Sequence, residues 1–321
     1  MITTARHTVS FILPAFNEEQ HIGRCLESIQ AEMRPSDEII VVDNGSADRT
    51  PEIVAGFENV QLLIHPEINI SALRNRGAAA SNGSLLAFID SDCLVCPGWR
   101  ESLERRMADE KVMATGSISD LPDDATWVEQ AWWSFRTPEP RCVNYIASAN
   151  LIIRRNVFEE LNGFDEALIT DEDSDIGARI NTRGYCIMDD PAIRVIHLAN
   201  AKTLRQFMDK EKWHATSILR TTSASRIDKA MIMTMAFMLS ALLFLVSLPL
   251  TVVWPFAPLI GLGLILLTLA ATAAFRALQY RTLRYFFHWL ILYFVFYLAR
   301  SLTILRFIFA GPDKSETRAE S

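Results

Sequence analysis

Two acidic clusters hold residue types from which chemistry could be built. The first is Asp90-Ser91-Asp92, directly after the apolar run Leu85 to Ile89. Carboxylates on a tight turn supply the oxygen donors that Mg²⁺ or Mn²⁺ needs, with phosphate oxygens and water completing the shell. The second is Thr170 to Asp175, TDEDSD, with four acids in six residues. A helix start explains part of it: Thr170 as N-cap, acids at the N-terminus, and Asp175 paired with Arg179 one turn on. Four acids exceed what a cap needs, and crowding raises one carboxyl pKa toward that of a general base. His197 ends the run RVIHL and could be a metal ligand or an ordinary strand-end histidine. Cys93 and Cys96 form a CxxC, but no second CxxC or paired histidine lies at zinc-site spacing, so both thiols are expected to be packing residues.

The elements that must position these residues alternate. VSFIL (9–13), EIIVV (38–42), VQLLI (60–64) and SLLAFI (84–89) are expected strands, separated by helical stretches. The first helix carries the stripe Ile22, Leu26, Ile29, and the third, SALRNRGAAASNG, is expected to end on Gly83 as its C′ residue. Continuous apolar strands between helices predict a mostly parallel α/β sheet covered on both faces. Such sheets bind ligands at the carboxyl ends of their strands. That edge carries PAFNEE (14–19), DNGSADRT (43–50) and the DSD turn. Asp43 could accept a hydrogen bond from a uracil N–H, and the same residues make a good turn. An Arg in LRNRG could meet a base or phosphate, or be a solvated helix charge; Arg76 is expected to be surface.

The second half is less regular. Residues 117–145 are rich in Trp and Pro and are expected to be a mobile or substrate-covering segment. ANLIIRR is an expected strand, NVFEELNGF a short helix, and residues 199–228 hold an amphipathic helix. Three apolar stretches follow, 230–253, 255–275 and 286–310, each long enough for a bilayer core. The third carries His288, Arg300 and Arg306, so it either spans with Arg300 facing protein or lies in the interface. Basic residues before the first stretch and in the 276–285 link predict that residues 1–228 lie on the cytoplasmic side, with a polar tail at 311–321. The five cysteines are then expected to stay reduced. The 31 basic and 38 acidic residues give a net charge of −7, which argues against nucleic acid as a partner.

Taken in order, VSFILPAFNEEQHIGRCLESI, DEIIVVDNGSADRT, ALRNRGAAASNGSLLAFIDSD and NGFDEALITDEDSDIGARI resemble the family 2 glycosyltransferases, which have the GT-A fold. The resemblance covers roughly residues 8–200. It implies a nucleotide-activated sugar, UDP-linked by preference, a divalent metal, Mg²⁺ or Mn²⁺, and an inverting single displacement. By the same resemblance Pro14, Ala15, Asn17, Glu18 and Asp43 line the nucleotide pocket and Arg74 matches a family position. Asp92 is the metal ligand, Asp90 lies by the ribose or metal, and His197 is a third ligand in several relatives. Asp173 is the base, supported by Glu172. Processive relatives carry QxxRW; here Lys212 stands in place of Arg before Trp213, and Asp209 in place of Gln. That departure implies transfer of one sugar to a lipid-linked or saccharide acceptor, with Trp213 and His214 on the acceptor side. The bacterial inner (plasma) membrane as location is implied only by this resemblance. Membrane lipid is an implied partner, and a homo-oligomer is compatible with the sequence. The rival readings are a non-catalytic nucleotide-sugar-binding subunit of an export or assembly system, which would tolerate loss of Asp92 or Asp173, and a sugar nucleotidyltransferase. The latter would want a basic, Gly-rich loop where this chain has PAFNEE.

Overall fold

The computed structural model describes residues 7–135, 139–168, 170–221 and 229–310. By its contacts the chain divides into two units. Among the described residues, the first takes those up to Pro122 and from 139 to Ala199, and the second takes Asp123–Phe135 and those from Asn200 to Ala310.

The first unit opens with β1 (Val9–Ala15), α1 (Ile22–Glu32), β2 (Glu38–Asp43), α2 (Thr50–Ala55), β3 (Val60–Ile64), α3 (Ile70–Ala80) and β4 (Leu85–Ile89). There follow β5 (Cys93–Val95), α4 (Trp99–Met107) and β6 (Val112–Gly116). After α5 (Trp127–Trp133), which belongs to the second unit, come β7 (Arg141–Val143), β8 (Asn150–Arg154), α6 (Arg155–Glu160), α7 (Glu172–Thr182), β9 (Cys186–Asp189) and β10 (Val195–His197). The expected α/β architecture is found: an eight-stranded mixed sheet in the order β3-β2-β1-β4-β8-β6-β9-β7. The strands β3, β2, β1 and β4 are parallel, and β8 enters antiparallel between β4 and β6.

Why the strands are apolar throughout is plain from the packing. In β1, Val9, Phe11, Leu13 and Ala15 face one core while Ile12 faces the other. In β4, Leu85, Ala87 and Ile89 face the first core, Leu86 and Phe88 the second. All five β4 side chains have no exposed surface. Strand order reverses between β1 and β4, with β2 and β3 on one side and β8 on the other. Such a switch point is where an α/β sheet opens a crevice at its carboxyl ends.

Four expectations are corrected. Gly83 does not cap α3, which ends at Ala80 with Ser81 as C-cap. Gly83 is needed because a Cβ there would stand 2.5 Å from Ser10 Oγ and 2.7 Å from the Ser10 nitrogen. Thr170 is not the N-cap of α7; Asp171 holds that place in a left-handed conformation with φ 64°. The segment 117–145, expected to be irregular, is not so throughout: Trp127 to Trp133 form a helix that packs in the second unit. Finally, Cys142 and Cys186 are joined by a disulfide with Cα atoms 5.8 Å apart, because the antiparallel pairing of β7 with β9 brings them together; Cys25, Cys93 and Cys96 are buried and in no disulfide.

The second unit adds α8 (Leu204–Thr221), α9 (Lys229–Ser247), a 3-10 turn (Pro249–Val252), α10 (Ala257–Tyr280) and α11 (Phe286–Ala310). Three helices, Lys229–Ser247, Ala257–Tyr280 and Phe286–Phe309, are long and apolar enough to cross a membrane. α9 ends earlier than the stretch 230–253 would give, and α10 runs on past 275 to include Arg276. Arg276 stacks on Trp132 at 4.2 Å and donates to the Trp132 carbonyl at 2.5 Å. Arg300 does face protein: its Nε lies 3.2 Å from Glu211 Oε2 and its guanidinium covers the Phe296 ring at 4.1 Å.

Candidate active site

Two loops at the carboxyl edge of the sheet are stitched together by side chains. Asn17, with φ 57°, donates its N–H to Ser46 Oγ at 2.8 Å and accepts from the Ala47 N–H at 2.9 Å. The Glu18 N–H donates to Thr50 Oγ1 at 2.7 Å, and the Glu19 N–H to Asp48 Oδ2 at 3.0 Å. The Asn44 N–H reaches the Ala15 carbonyl at 2.8 Å. Pro14 and Ala15 are the last two residues of β1, so PAFNEE leaves the sheet directly beside DNGS. Asp43 Oδ1 accepts from the N–H groups of Gly45 and Ser46, both at 2.9 Å, and Asp43 is 1% exposed. Its visible task is therefore the turn, with Ser46 Oγ bonded to its second oxygen.

The DSD turn follows β4. Asp92 is buried, and its Oδ2 lies 3.5 Å from His197 Nε2. β5 and β10 form a separate two-stranded antiparallel sheet that fixes this meeting, and the Leu198 N–H donates to the Asp92 carbonyl at 3.0 Å. Glu18 also belongs to this acidic group. Burial first, then the charges of Asp92, Asp90 and Asp48, push its carboxyl up to about 8. His21 Nδ1 sits 3.0 Å from Glu18 Oε2. Carboxylates crowded to this degree, with an imidazole nitrogen at hand, suit a hard or borderline divalent cation. Asp92 and His197 belong to a group that fits one, whereas Asp90, expected beside the metal, lies outside that group with its Oδ1 held by Arg74.

Arg74 joins this group to the second acidic cluster. From α3, one terminal nitrogen donates to Asp90 Oδ1 at 2.8 Å and the other to Glu172 Oε1 at 2.6 Å, while the residue is only 4% exposed. Asp173, next to Glu172, has its carboxyl raised to about 7 by burial and by the Glu172 charge, with Arg74 acting in the opposite direction. Asp175 is spoken for by Arg179, whose Nε donates to it at 2.8 Å. The four-acid run is thus divided: Asp171 starts the helix, Glu172 is braced, Asp173 is held with a raised pKa, and Asp175 pairs.

Arg74, Asp90, Asp92, Glu172, Asp173, Glu18 and His197 all come from the first unit. Asp48, beside Glu18, was missed; its only sequence signal was the turn DNGSADRT. Trp213 and His214 belong to α8 in the second unit, where their rings meet edge to face at 4.8 Å. Burial, and then the charges of Lys210 and Arg300, lower the His214 imidazole to about 4, so it is neutral at ordinary pH.

Residues 10–161 match the family model described as glycosyl transferase family 2. Glycosyltransferase AglE of Haloferax volcanii is 31% identical over 198 residues, covering 58% of this chain and 65% of its own length. Pre-mycofactocin glycosyltransferase of Mycobacterium tuberculosis is 27% identical over 203 residues, covering 59% of this chain and 42% of its own. The chain thus spans less than two thirds of these curated relatives. Among solved structures, mannosyltransferase PcManGT from Pyrobaculum calidifontis, in complex with GDP-Man and Mn²⁺, superposes with a TM-score of 0.59 at 19% identity. That likeness covers 96% of this chain and 88% of the other and bears on the fold.

Proposed function

We propose, on the premise that residues 10–161 belong to glycosyl transferase family 2, that the chain is a metal-dependent inverting glycosyltransferase. It moves one sugar from a nucleoside diphosphate sugar to a lipid-linked or saccharide acceptor at the cytoplasmic face of a membrane. The observation that supports this best is the chain of contacts from Asp90 through Arg74 to Glu172, which sets a carboxyl of raised pKa in the same constellation as the metal-type cluster.

In this reading Asp173 takes the acceptor hydroxyl proton as that oxygen attacks the anomeric carbon and the bond to the diphosphate breaks. A base poised near neutrality can both hold its free form and accept a proton in the transition state. Glu172 is held by Arg74, so its carboxylate stays beside Asp173. The β1–α1 and β2–α2 loops, stitched at Asn17, Glu18 and Glu19, shape the nucleotide pocket, and Asp43 fixes its floor. A divalent cation held by Asp92 and His197 would neutralise the diphosphate as it leaves. Trp213 and His214 are assigned to the acceptor side. The three apolar helices confine enzyme and acceptor to one surface, which raises effective concentration.

The test is a donor screen on the full chain in detergent, with UDP- and GDP-sugars, Mn²⁺ or Mg²⁺, and polyprenyl phosphate. Nucleoside diphosphate release that depends on donor, metal and acceptor is expected. Asp173→Asn should lower kcat by about 10²- to 10⁴-fold, the usual worth of a general base, while donor binding persists. Retained turnover would remove Asp173 as the base.

A further inference from the structure

Cys93 is the neighbour of Asp92 that the transferase reading leaves without a task. In the β5–β10 pair Cys93 lies directly opposite His197. Opposed residues in an antiparallel pair share a face, so thiol and imidazole project to the same side of this small sheet. The distances agree with that placement. Cys93 Sγ lies 3.7 Å from Asp92 Oδ1, and His197 Nε2 lies 3.5 Å from Asp92 Oδ2. One donor atom from each of Asp92, Cys93 and His197 falls within 4.8 Å of the others. A single cation at ~2.0–2.5 Å from each donor spans such a group. Cys96, the other half of the CxxC, lies beyond the end of β5 and outside this triad.

We infer that Cys93 is itself a ligand of the cation that Asp92 and His197 hold, so that the site combines sulfur, oxygen and nitrogen donors. The inference rests on the proposed function for the location of the cation only. Coordination exchanges the S–H bond for a sulfur–metal bond and releases the thiol proton to solvent; nothing is oxidised or reduced. Thiolate is a soft donor, so the site ranks Co²⁺, Zn²⁺ and Cd²⁺ above Mg²⁺. An oxygen-only DxD site has no such ranking built in by sulfur.

The experiment titrates the full chain in detergent, under anaerobic reducing conditions, with Co²⁺ alone and with UDP or GDP present. A near-ultraviolet thiolate-to-cobalt charge-transfer band is expected in the unmodified protein and in Cys96→Ser, and its loss in Cys93→Ser. Co²⁺ affinity in Cys93→Ser should fall by at least the ~10-fold that even an outer-sphere partner of a metal site is worth, with Mg²⁺ affinity little changed. Should Cys93→Ser fail to fold, the cadmium NMR shift of the unmodified protein reads sulfur ligation without a substitution. Calorimetric Co²⁺ binding with no such band would return Cys93 to the core and leave the transferase reading intact. Absence of cation binding under every condition would overturn this inference together with the metal site. A protein that shows the band but transfers no sugar would fail the transferase reading alone.

Discussion

Arg74 is where the two acidic clusters meet, and its charge is one of the two influences that hold the candidate base down, after the Ser174 N–H. It lowers the Asp173 carboxyl against the larger upward push of burial and Glu172. The sign for activity follows directly: Asp173 must be deprotonated to accept a proton, so kcat rises with pH through about 7, where that carboxyl titrates. Arg74→Gln removes the opposing positive charge, so the acid limb of the kcat–pH profile should move to higher pH. Arg74→Lys keeps the charge but not the fork and should lower kcat with a smaller movement of the limb. A limb unmoved by Arg74→Gln would sever Arg74 from the base. The sequence offered both partners as acids in good motifs, and Arg74 as a family match. It did not show that the guanidinium braces Asp90 and Glu172, because those partners lie 16 and 98 residues away.

At the scale of elements, α7 must stand close to the chain before β8, and α3 must hold the loop that leads into α7. Asn75 does the second task with a reciprocal pair: its Nδ2 donates to the Phe164 carbonyl and its Oδ1 accepts from the Phe164 N–H, both at 2.9 Å. Gly177 does the first. A Cβ there would meet the Asn144 carbonyl at 2.6 Å and Tyr145 Cβ at 2.7 Å. Alanine is the better helix former, but the backbone clash outweighs that gain. Gly177→Ala should cost about 1–3 kcal/mol in denaturant unfolding and lower kcat by displacing the helix that carries Asp173. Unfolding and kcat both unchanged would show that α7 has room to shift. The strands and most helices were legible because their apolar periods are strong. Strand direction was not: ANLIIRR has the same buried, two-faced pattern in β8 as the parallel strands, and only the sheet shows it running antiparallel. The helix starting at 172 was legible from its acids, while the cap fell on Asp171 because a left-handed residue rather than a side chain turns the chain there.

Over the whole molecule, composition alone located the three long apolar helices, since nothing but a bilayer or a large core accommodates such runs. What composition could not give is the attachment of α5 to the second unit. Trp289 Nε1 donates to the Ala131 carbonyl at 2.7 Å, and Trp132 meets Phe207 edge to face at 4.8 Å, contacts made 158 and 75 residues apart. A tryptophan-rich loop and a tryptophan-rich packing helix look alike until their partners are known. The cysteines held a different lesson, because an odd number of scattered thiols conceals one pair that the β7–β9 edge brings into bonding range. Cys142 is exposed, so that bond is open to small thiols on whichever side of the membrane the first unit faces. Disulfides seldom persist in a reducing cytosol. The pair therefore works as a chemical witness to sidedness: intact cells quenched in acid, with the chain then denatured and alkylated, should count five thiols if the first unit faces the cytoplasm, and three if it faces an oxidising compartment. Mass spectrometry of the trapped chain reads that number directly, and a count of three would turn the proposed orientation inside out.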